Sequence, residues 1–260
     1  MRKTKDSGIE WIGKIPISWN VVPIRSTFKE IREKNILGNE KNALQFSYGT
    51  IIPKENFDST REEYVAKTIL NYSIVSPGTI IINGLNLNYD FISKRVGLVR
   101  QKGIITSAYI AFISKNFNYI QPEYACFLFK CYDSKKAFHN MGSGVRKILN
   151  YKELKLKKII VPSLLNQERI SKYLDFKCQQ IDNLITCIEI QIDVLEKYKK
   201  SVITETVIKG LNKNVSMKDS GIEWIGTIPA HWLIRPLYMY FSERKNINVF
   251  GGIISLCESI

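Results

Sequence analysis

Asp133 and the later run Glu153-Leu-Lys155 have the loose spacing of a metal-dependent nuclease, in which carboxylates hold the ion and a lysine assists the attacking water. The residues before Asp133 pattern as helix rather than as a strand end, and such spacing arises cheaply in a lysine-rich chain. All three therefore read as surface charges. The two histidines, His139 and His231, lie far apart, and no serine or cysteine neighbours a plausible base, so nucleophilic catalysis has no support. The five cysteines, Cys126, Cys131, Cys178, Cys187 and Cys257, include no Cys-x-x-Cys pair and read as buried reduced thiols. The expectation is no catalytic residue, no metal site and no cofactor held by this chain.

Phosphate-cradling loops of the Gly-x-Gly-x-x-Gly and Gly-x-x-x-x-Gly-Lys-Ser/Thr types are also absent from the sequence. Asn86-Leu-Asn-Tyr89 has the outer residues of the Asn-Pro-Pro-Tyr loop of amino-methyltransferases but neither proline, and no glycine-rich cofactor strand accompanies it. Binding chemistry is the stronger signal. Residues 1–165 carry 26 Lys+Arg against 13 Asp+Glu, whereas residues 166–260 carry 12 against 11. The surplus in the first part attracts a polyanion, and nucleic acid is the usual one, because each neutralised phosphate releases condensed counterions. A basic surface that is merely solvated is the alternative. No apolar run approaches the roughly 18 residues that span a bilayer, and the N-terminus turns polar where a signal peptide needs its apolar stretch, so the expected location is the cytoplasm.

The elements that must position these residues begin with a repeat. Lys5-Asp-Ser-Gly-Ile-Glu-Trp-Ile-Gly-Lys-Ile-Pro-Ile-Ser-Trp19 returns as Lys218-Asp-Ser-Gly-Ile-Glu-Trp-Ile-Gly-Thr-Ile-Pro-Ala-His-Trp232, with twelve of fifteen positions identical at a period of 213 residues. So long a period marks a tandem copy of a whole domain rather than a solenoid. Residues 5–25 read as an extended arm, with Asp6 and Glu10 as turn and cap residues. From 43 to 120, strand-like runs at Ala43–Thr50, Ser73–Val75, Thr79–Ile82, Arg95–Val99 and Ile104–Ile113 alternate with Pro-Gly, Asn-Gly and Lys-Gly turns, predicting a mostly antiparallel sheet. A helix is expected at Pro122–Lys136 and a short strand at Lys158–Val161. Between them Met141-Gly-Ser-Gly-Val-Arg-Lys147 reads as a flexible hinge carrying two cations.

Residues 166–209 contain no glycine and no proline, and Leu174, Ile181, Ile188, Leu195 and Val202 recur every seven residues, joined by Leu184 and Tyr198 at the d spacing. This predicts one long helix with Asn166 as N-cap and Gly210 as its stop. A small domain covers only part of so long a stripe, so Leu174, Ile181, Leu184, Ile188, Leu195, Tyr198 and Val202 form a candidate packing interface for a second long helix. That helix belongs either to another copy of this chain or to a missing second half. The fold class is α+β. The expected organisation is a globular domain at 1–165 with its arm at 1–25, a spacer helix at 166–210, a linker at 211–217 and an incomplete second domain from 218 to 260.

Taken in order, the repeated Gly-Ile-Glu-Trp-Ile-Gly-x-Ile-Pro-x-x-Trp segment, Val75-Ser-Pro-Gly78, Gly142-Ser-Gly-Val-Arg146, Ile160-Val-Pro-Ser-Leu-Leu-Asn-Gln-Glu-Arg-Ile-Ser-Lys-Tyr-Leu-Asp175, Ile181-Asp-Asn-Leu-Ile185 and Tyr198-Lys-Lys-Ser-Val-Ile-Thr-Glu-Thr-Val207 make a set that resembles the specificity (S) subunit of type I restriction-modification systems. The chain departs from the family at Pro162-Ser-Leu-Leu-Asn-Gln167, where members often read Pro-Pro-Leu-x-Glu-Gln, and at Thr79, where Asp is common. It carries one target-recognition domain and one long helix where the family usually carries two of each, so the resemblance implies a truncated or split subunit.

The resemblance further implies a sequence reader with no catalysis of its own, in which each target-recognition domain reads one half of a bipartite site in double-stranded DNA. Partners would be a DNA methyltransferase subunit and a restriction subunit, with S-adenosylmethionine, ATP and Mg expected only in those partners. A homodimer, or pairing with a second specificity half, would complete the reader. Candidate DNA contacts are Asn83, Asn86, Asn88, Tyr89, Lys94, Arg95, Ser107, Arg146 and Lys147, with Gly142, Ser143 and Gly144 letting the backbone approach phosphate. Asparagine pairs with the adenine edge and arginine with guanine, while lysine more often holds phosphate. The competing expectations are a fused nuclease or methyltransferase, a coiled-coil assembly protein without DNA readout, and an orphan non-functional fragment.

Overall fold

The computed structural model describes residues 3–54, 69–144 and 147–243, in two compact units, Met1–Ile181 and Asp182–Ile260. The predicted arm at 5–25 is ordered as strands. β1 (Thr4–Asp6) and β2 (Lys14–Pro16) form an antiparallel hairpin, and β3 (Asn20–Pro23) runs on from it. The Asp6 carboxylate accepts from the Gly8 N–H at 2.8 Å, which is the turn role expected of it. Gly8 and Gly13 take positive φ of 65° and 68°, which explains the glycines at both bends. A one-turn helix, α1 (Ile24–Thr27), leads into β4 (Phe28–Glu30).

The predicted strand Ala43–Thr50 is two strands, β5 (Leu44–Ser47) and β6 (Thr50–Pro53), folded back at Tyr48 and Gly49, whose φ values are 44° and 82°. Two successive positive-φ residues match the right-handed twist of the flanking strands, which is what a two-residue hairpin turn requires. β7 (Ser73–Val75), β8 (Ile80–Ile82) and β9 (Val96–Leu98) follow as expected. The predicted single run Ile104–Ile113 is instead β10 (Gly103–Ile105) and β11 (Ile110–Ser114). The break has a topological cause: β10 pairs with β7, while β11 joins β4 and β8 in a four-stranded antiparallel sheet of order β4-β11-β8-β9.

That sheet is buried on both faces, which accounts for a central strand made of three isoleucines. Ile80 and Ile82 join the cluster built by Phe28, Phe112, Phe129 and Tyr132, while Ile81 points the other way into Leu44, Val75, Val99, Ile105 and Ala111. Each isoleucine so enclosed stabilises the fold by about 1.5–3 kcal/mol. The first face is covered by α2 (Pro122–Ser134), which starts at proline as predicted and ends two residues earlier than predicted. Trp11 of the first hairpin meets Tyr132 of this helix edge-on, with ring centroids 4.6 Å apart. α3 (Tyr151–Leu154) and β12 (Lys158–Val161) close the unit, with β12 paired antiparallel to β3.

The long helix is α4 (Leu164–Lys209), 46 residues. It begins two residues before the predicted N-cap, so Asn166 lies in its first turn and the Gln167 N–H reaches the Ser163 carbonyl at 2.9 Å. Gln167 is fully buried there: its amide donates to the Tyr119 and Pro162 carbonyls at 2.9 Å each and accepts from the Gln121 N–H at 2.9 Å. At the other end Gly210 takes φ of 74° and stops the helix as expected.

In the second unit the repeated sequence makes the same hairpin, β13 (Met217–Asp219) with β14 (Thr227–Pro229). Ser220 N–H to Gly226 O, at 2.9 Å, reproduces Ser7 N–H to Gly13 O, at 3.0 Å, and Gly221 and Gly226 repeat the positive φ of their counterparts. Trp224, the counterpart of Trp11, is 80% exposed, while Trp232 lies against Gly210 at the helix end.

Candidate nucleic-acid interface

Strand register decides which of the predicted contacts come together. Ile110 pairs with Ile82 and Val96 with the same residue, so the β8–β9 loop (83–95) and the β10–β11 turn (106–109) leave the sheet at one end. The 141–149 loop joins them there, because the Leu149 N–H donates to the Gly84 carbonyl at 2.9 Å and the Leu87 N–H donates to the Lys147 carbonyl at 3.2 Å. Contact between the two loops is close: a Cβ at residue 84 would sit 2.5 Å from the Leu149 carbonyl oxygen, and one at 142 would sit 2.9 Å from Leu87 Cδ1. The segment read as a flexible hinge is thus packed at Gly142 and bridged between Ser143 and Ile148.

At this end Asn86, Tyr89, Lys94, Ser107, Ser143, Gly144 and Lys147 are exposed, while Asn83, Asn88 and Gly142 are half-buried. Asn83 turns its carboxamide oxygen to the Leu85 N–H at 3.1 Å. Asn86 and Lys147 hold positive φ of 53° and 38°, fixing the corners of their loops. Asn88 lines a shallow depression with Leu87, Phe91, His139, Asn140 and Lys147. Arg146 lies outside the described residues, as does Cys257. Tyr48 escaped sequence reasoning. It is 89% exposed at the tip of the β5–β6 hairpin, and its neighbour Gly49 lies against the Lys94 side chain. A Tyr-Gly pair inside an alternating run is the turn signal that would have placed it.

Arg95 is the principal correction. Its side chain is fully buried and is not a DNA contact in this fold. Nη1 donates to the Asn83 carbonyl at 3.0 Å and to the Leu85 carbonyl at 2.7 Å, and Nη2 donates to the Asp90 carbonyl at 2.7 Å. Nη2 also lies 3.3 Å from the Asp90 carboxylate. The guanidinium is a cross-brace for the β8–β9 loop, and the five-donor fork is the reason arginine serves there. The same loop is held from outside: His139 Nε2 stands 3.1 Å from the Asp90 carbonyl, Lys136 donates to the Phe91 carbonyl, and the Phe91 and His139 rings stack at 4.6 Å. Donors from Ser93, first its N–H and then its hydroxyl, hold the Asp90 carboxyl below the usual carboxylate range.

The residues with nuclease-like spacing have other roles here. Asp133 is not a surface charge: it is buried and accepts from the Arg95 N–H at 2.7 Å, and burial pushes its carboxyl above the usual range. Glu153 closes a capping box with Asn150 at the start of α3. Among the described residues no three His, Cys, Asp or Glu side chains group to hold a metal ion. The cysteines divide, with Cys126 buried and Cys131, Cys178 and Cys187 exposed, the last two because α4 is exposed along most of its length.

The candidate packing stripe runs along α4, with Ile181, Leu184, Ile188, Leu195, Tyr198 and Val202 exposed and Leu174 half-buried near the domain. Exposure of these side chains ranges from 41% at Val202 to 66% at Tyr198. No helix among the described residues is long and apolar enough to cross a membrane.

A globular α+β domain whose loops gather at one sheet end, continued by a long helix with an apolar stripe, is the arrangement in which the chain is similar to type I restriction-modification specificity subunits. Residues 91–197 match the model of the type I restriction modification DNA specificity domain. The chain is 27% identical over 229 residues to the putative type I restriction enzyme MjaX specificity subunit of Methanocaldococcus jannaschii, an alignment covering 85% of this chain and 52% of that one. It is 28% identical over 221 residues to the type I restriction enzyme MjaVIII specificity subunit of the same organism, covering 84% and 48%. The chain thus spans about half the length of these relatives. Its fold matches a solved chain from a study of complex assembly and conformational transition of the type I R-M system, with a TM-score of 0.55 and 16% identity over 76% of this chain and 47% of that one.

Proposed function

We propose that this chain reads double-stranded DNA as a recognition subunit of a type I restriction-modification complex, one domain for one half of a bipartite site. The observation that carries the reading is the convergence of the β8–β9 loop, the β10–β11 turn and the 141–149 loop at one end of the sheet, in a region with twice as many Lys+Arg as Asp+Glu. Such an end presents amide, hydroxyl and ammonium groups from several loops on a rigid base, which suits base edges flanked by phosphates. Asn86, Tyr89 and Ser107 are the proposed base-facing residues, and Lys94, Lys147 and the Ser143–Gly144 backbone the proposed phosphate contacts.

Recognition here is without catalysis of its own. Methyl transfer and cleavage belong to a methyltransferase subunit and a restriction subunit, which hold S-adenosylmethionine, ATP and Mg. The setting is the cytoplasm, where the DNA is. The organisation proposed is a reading domain over 1–165, a spacer helix, and the opening of a second domain from 218. The exposed stripe of α4 favours pairing with a second long helix, from another copy or from a second specificity half.

The test is recovery of the tagged chain with its partners from the native host, followed by selection of DNA from a random duplex pool. Co-purification of a DNA methyltransferase with enrichment of an interrupted motif is the expected result. Neither appearing would remove the reading and move the weight to a coiled-coil assembly protein.

A further inference from the structure

The tip of the β8–β9 loop is apolar where a DNA-facing loop would ordinarily be polar. Ile92 is 96% exposed, Tyr89 74% and Phe91 54%. The tip is also rigidly held: Arg95, His139 and Lys136 all grip its carbonyls, and the Asp90 carboxylate accepts from the Ile92 N–H at 3.2 Å and the Ser93 N–H at 2.9 Å. Asp90 is thereby committed inside the loop and paired with Arg95. What faces outward at Phe91 and Ile92 is hydrocarbon carried on a hydrogen-bonded main chain, with exposed Lys94 two residues beyond Ile92 and Lys147 beside Phe91.

We infer that Ile92 is an apolar specificity element that seats against a thymine C5-methyl group in the major groove. The inference rests on the DNA-reading function proposed above and adds a residue that hydrogen-bond reasoning does not select. The thymine methyl is the apolar group that base edges offer in that groove, and it distinguishes thymine from cytosine without a hydrogen bond. The flanking lysines set the tip against a polyanion rather than against an apolar protein face, and they supply the phosphate contacts that fix its register. A tip ordered before binding loses little conformational freedom on contact, so a single methyl contact is enough to register in affinity.

The experiment compares complexes recovered with the tagged full chain and with its Ile92→Ser variant. Each is used to select duplexes from a random pool, and each thymine of the enriched site is then replaced in turn by uracil, which removes only the methyl group. In the unaltered chain one replacement weakens binding about fourfold, the effect of one buried methyl-sized group. The variant binds the thymine site about fourfold more weakly and is indifferent to that replacement, with an unchanged melting temperature because residue 92 is exposed. Equal loss in both chains, no sensitive thymine, or a site of G·C pairs alone overturns the inference and leaves DNA reading intact. If Ile92→Ser instead loses a co-purifying protein, the tip is a protein-docking surface and the inference is overturned. If the unaltered chain enriches no site, the proposed function falls and the inference with it.

Discussion

At position 95 a cation that charge and sequence context assign to DNA has its guanidinium turned inward, onto three carbonyls of its own loop. Arg95→Met leaves the Asn83 and Leu85 carbonyls without the guanidinium and the Asp90 carboxylate without its cation, and a loss of at least about 1–3 kcal/mol, the cost of one buried acceptor left unmet, is expected in urea unfolding. Arg95→Lys does not rescue it, because one ammonium cannot span the three carbonyls. DNA binding falls in both variants through the fold rather than through a lost contact. Asp133 makes a second prediction. Its folded pKa is raised above the unfolded value of about 3.9, so the stability tied to its proton is full below that value and is lost as pH climbs through the raised one. Asp133→Asn keeps an acceptor for the Arg95 N–H and removes that decline, so the stability of the unaltered chain relative to the variant drops with rising pH in denaturation curves. Neither role was legible in the sequence: Arg95 and Asp133 are 38 residues apart, and only the packing of α2 on β9 makes them neighbours.

The strands were legible as elements, because β-branched runs bounded by Pro-Gly and Asn-Gly turns have few other ways to fold. Where one run ends and another begins was less so. Ala43–Thr50 and Ile104–Ile113 each read as continuous, yet the first folds back on itself at Tyr48-Gly49 as a hairpin and the second breaks because β10 and β11 have different pairing partners, a tertiary requirement with weak local signal. Loop packing shows the same limit. Gly84 reads as half of an Asn-Gly turn, yet its missing side chain is what admits the Leu149 carbonyl. Gly84→Ala forces the β8–β9 and 141–149 loops apart and is expected to cost about 1–3 kcal/mol, measurable as a lower melting temperature. The long helix was the most legible element, its heptad spacing and its glycine stop both visible in sequence, whereas the buried Gln167 that stitches its first turn to residues 119–121 was not singled out. For the exposed stripe the expected outcome is association at tens of micromolar by light scattering, lost in the double variant Leu184→Glu, Leu195→Glu while circular dichroism keeps its helical signal.

Over the whole chain, the basic surplus of residues 1–165 makes affinity for DNA a matter of counterions as well as of contacts. Binding is expected to fall linearly in log–log form as salt rises, and changing Lys94 and Lys147 together to Ala should flatten the slope by about two, roughly 0.9 for each phosphate contact removed. A binding curve insensitive to salt would sink the DNA reading. The repeat at a period of 213 residues is visible as two copies of one hairpin, one packed on α2 through Trp11 and one following the helix end. The gripping of the β8–β9 loop has a consequence on a longer timescale. Arg95, His139 and Lys136 hold its main chain rather than its outward side chains, so residues such as Tyr89 and Ile92 are free to vary without loosening the support beneath them, whereas Asn86, at positive φ, is part of that support. Selection could therefore rewrite the sequence this protein prefers by changing a few letters at one tip, and a library randomised at those positions would explore new preferences on an unchanged foundation.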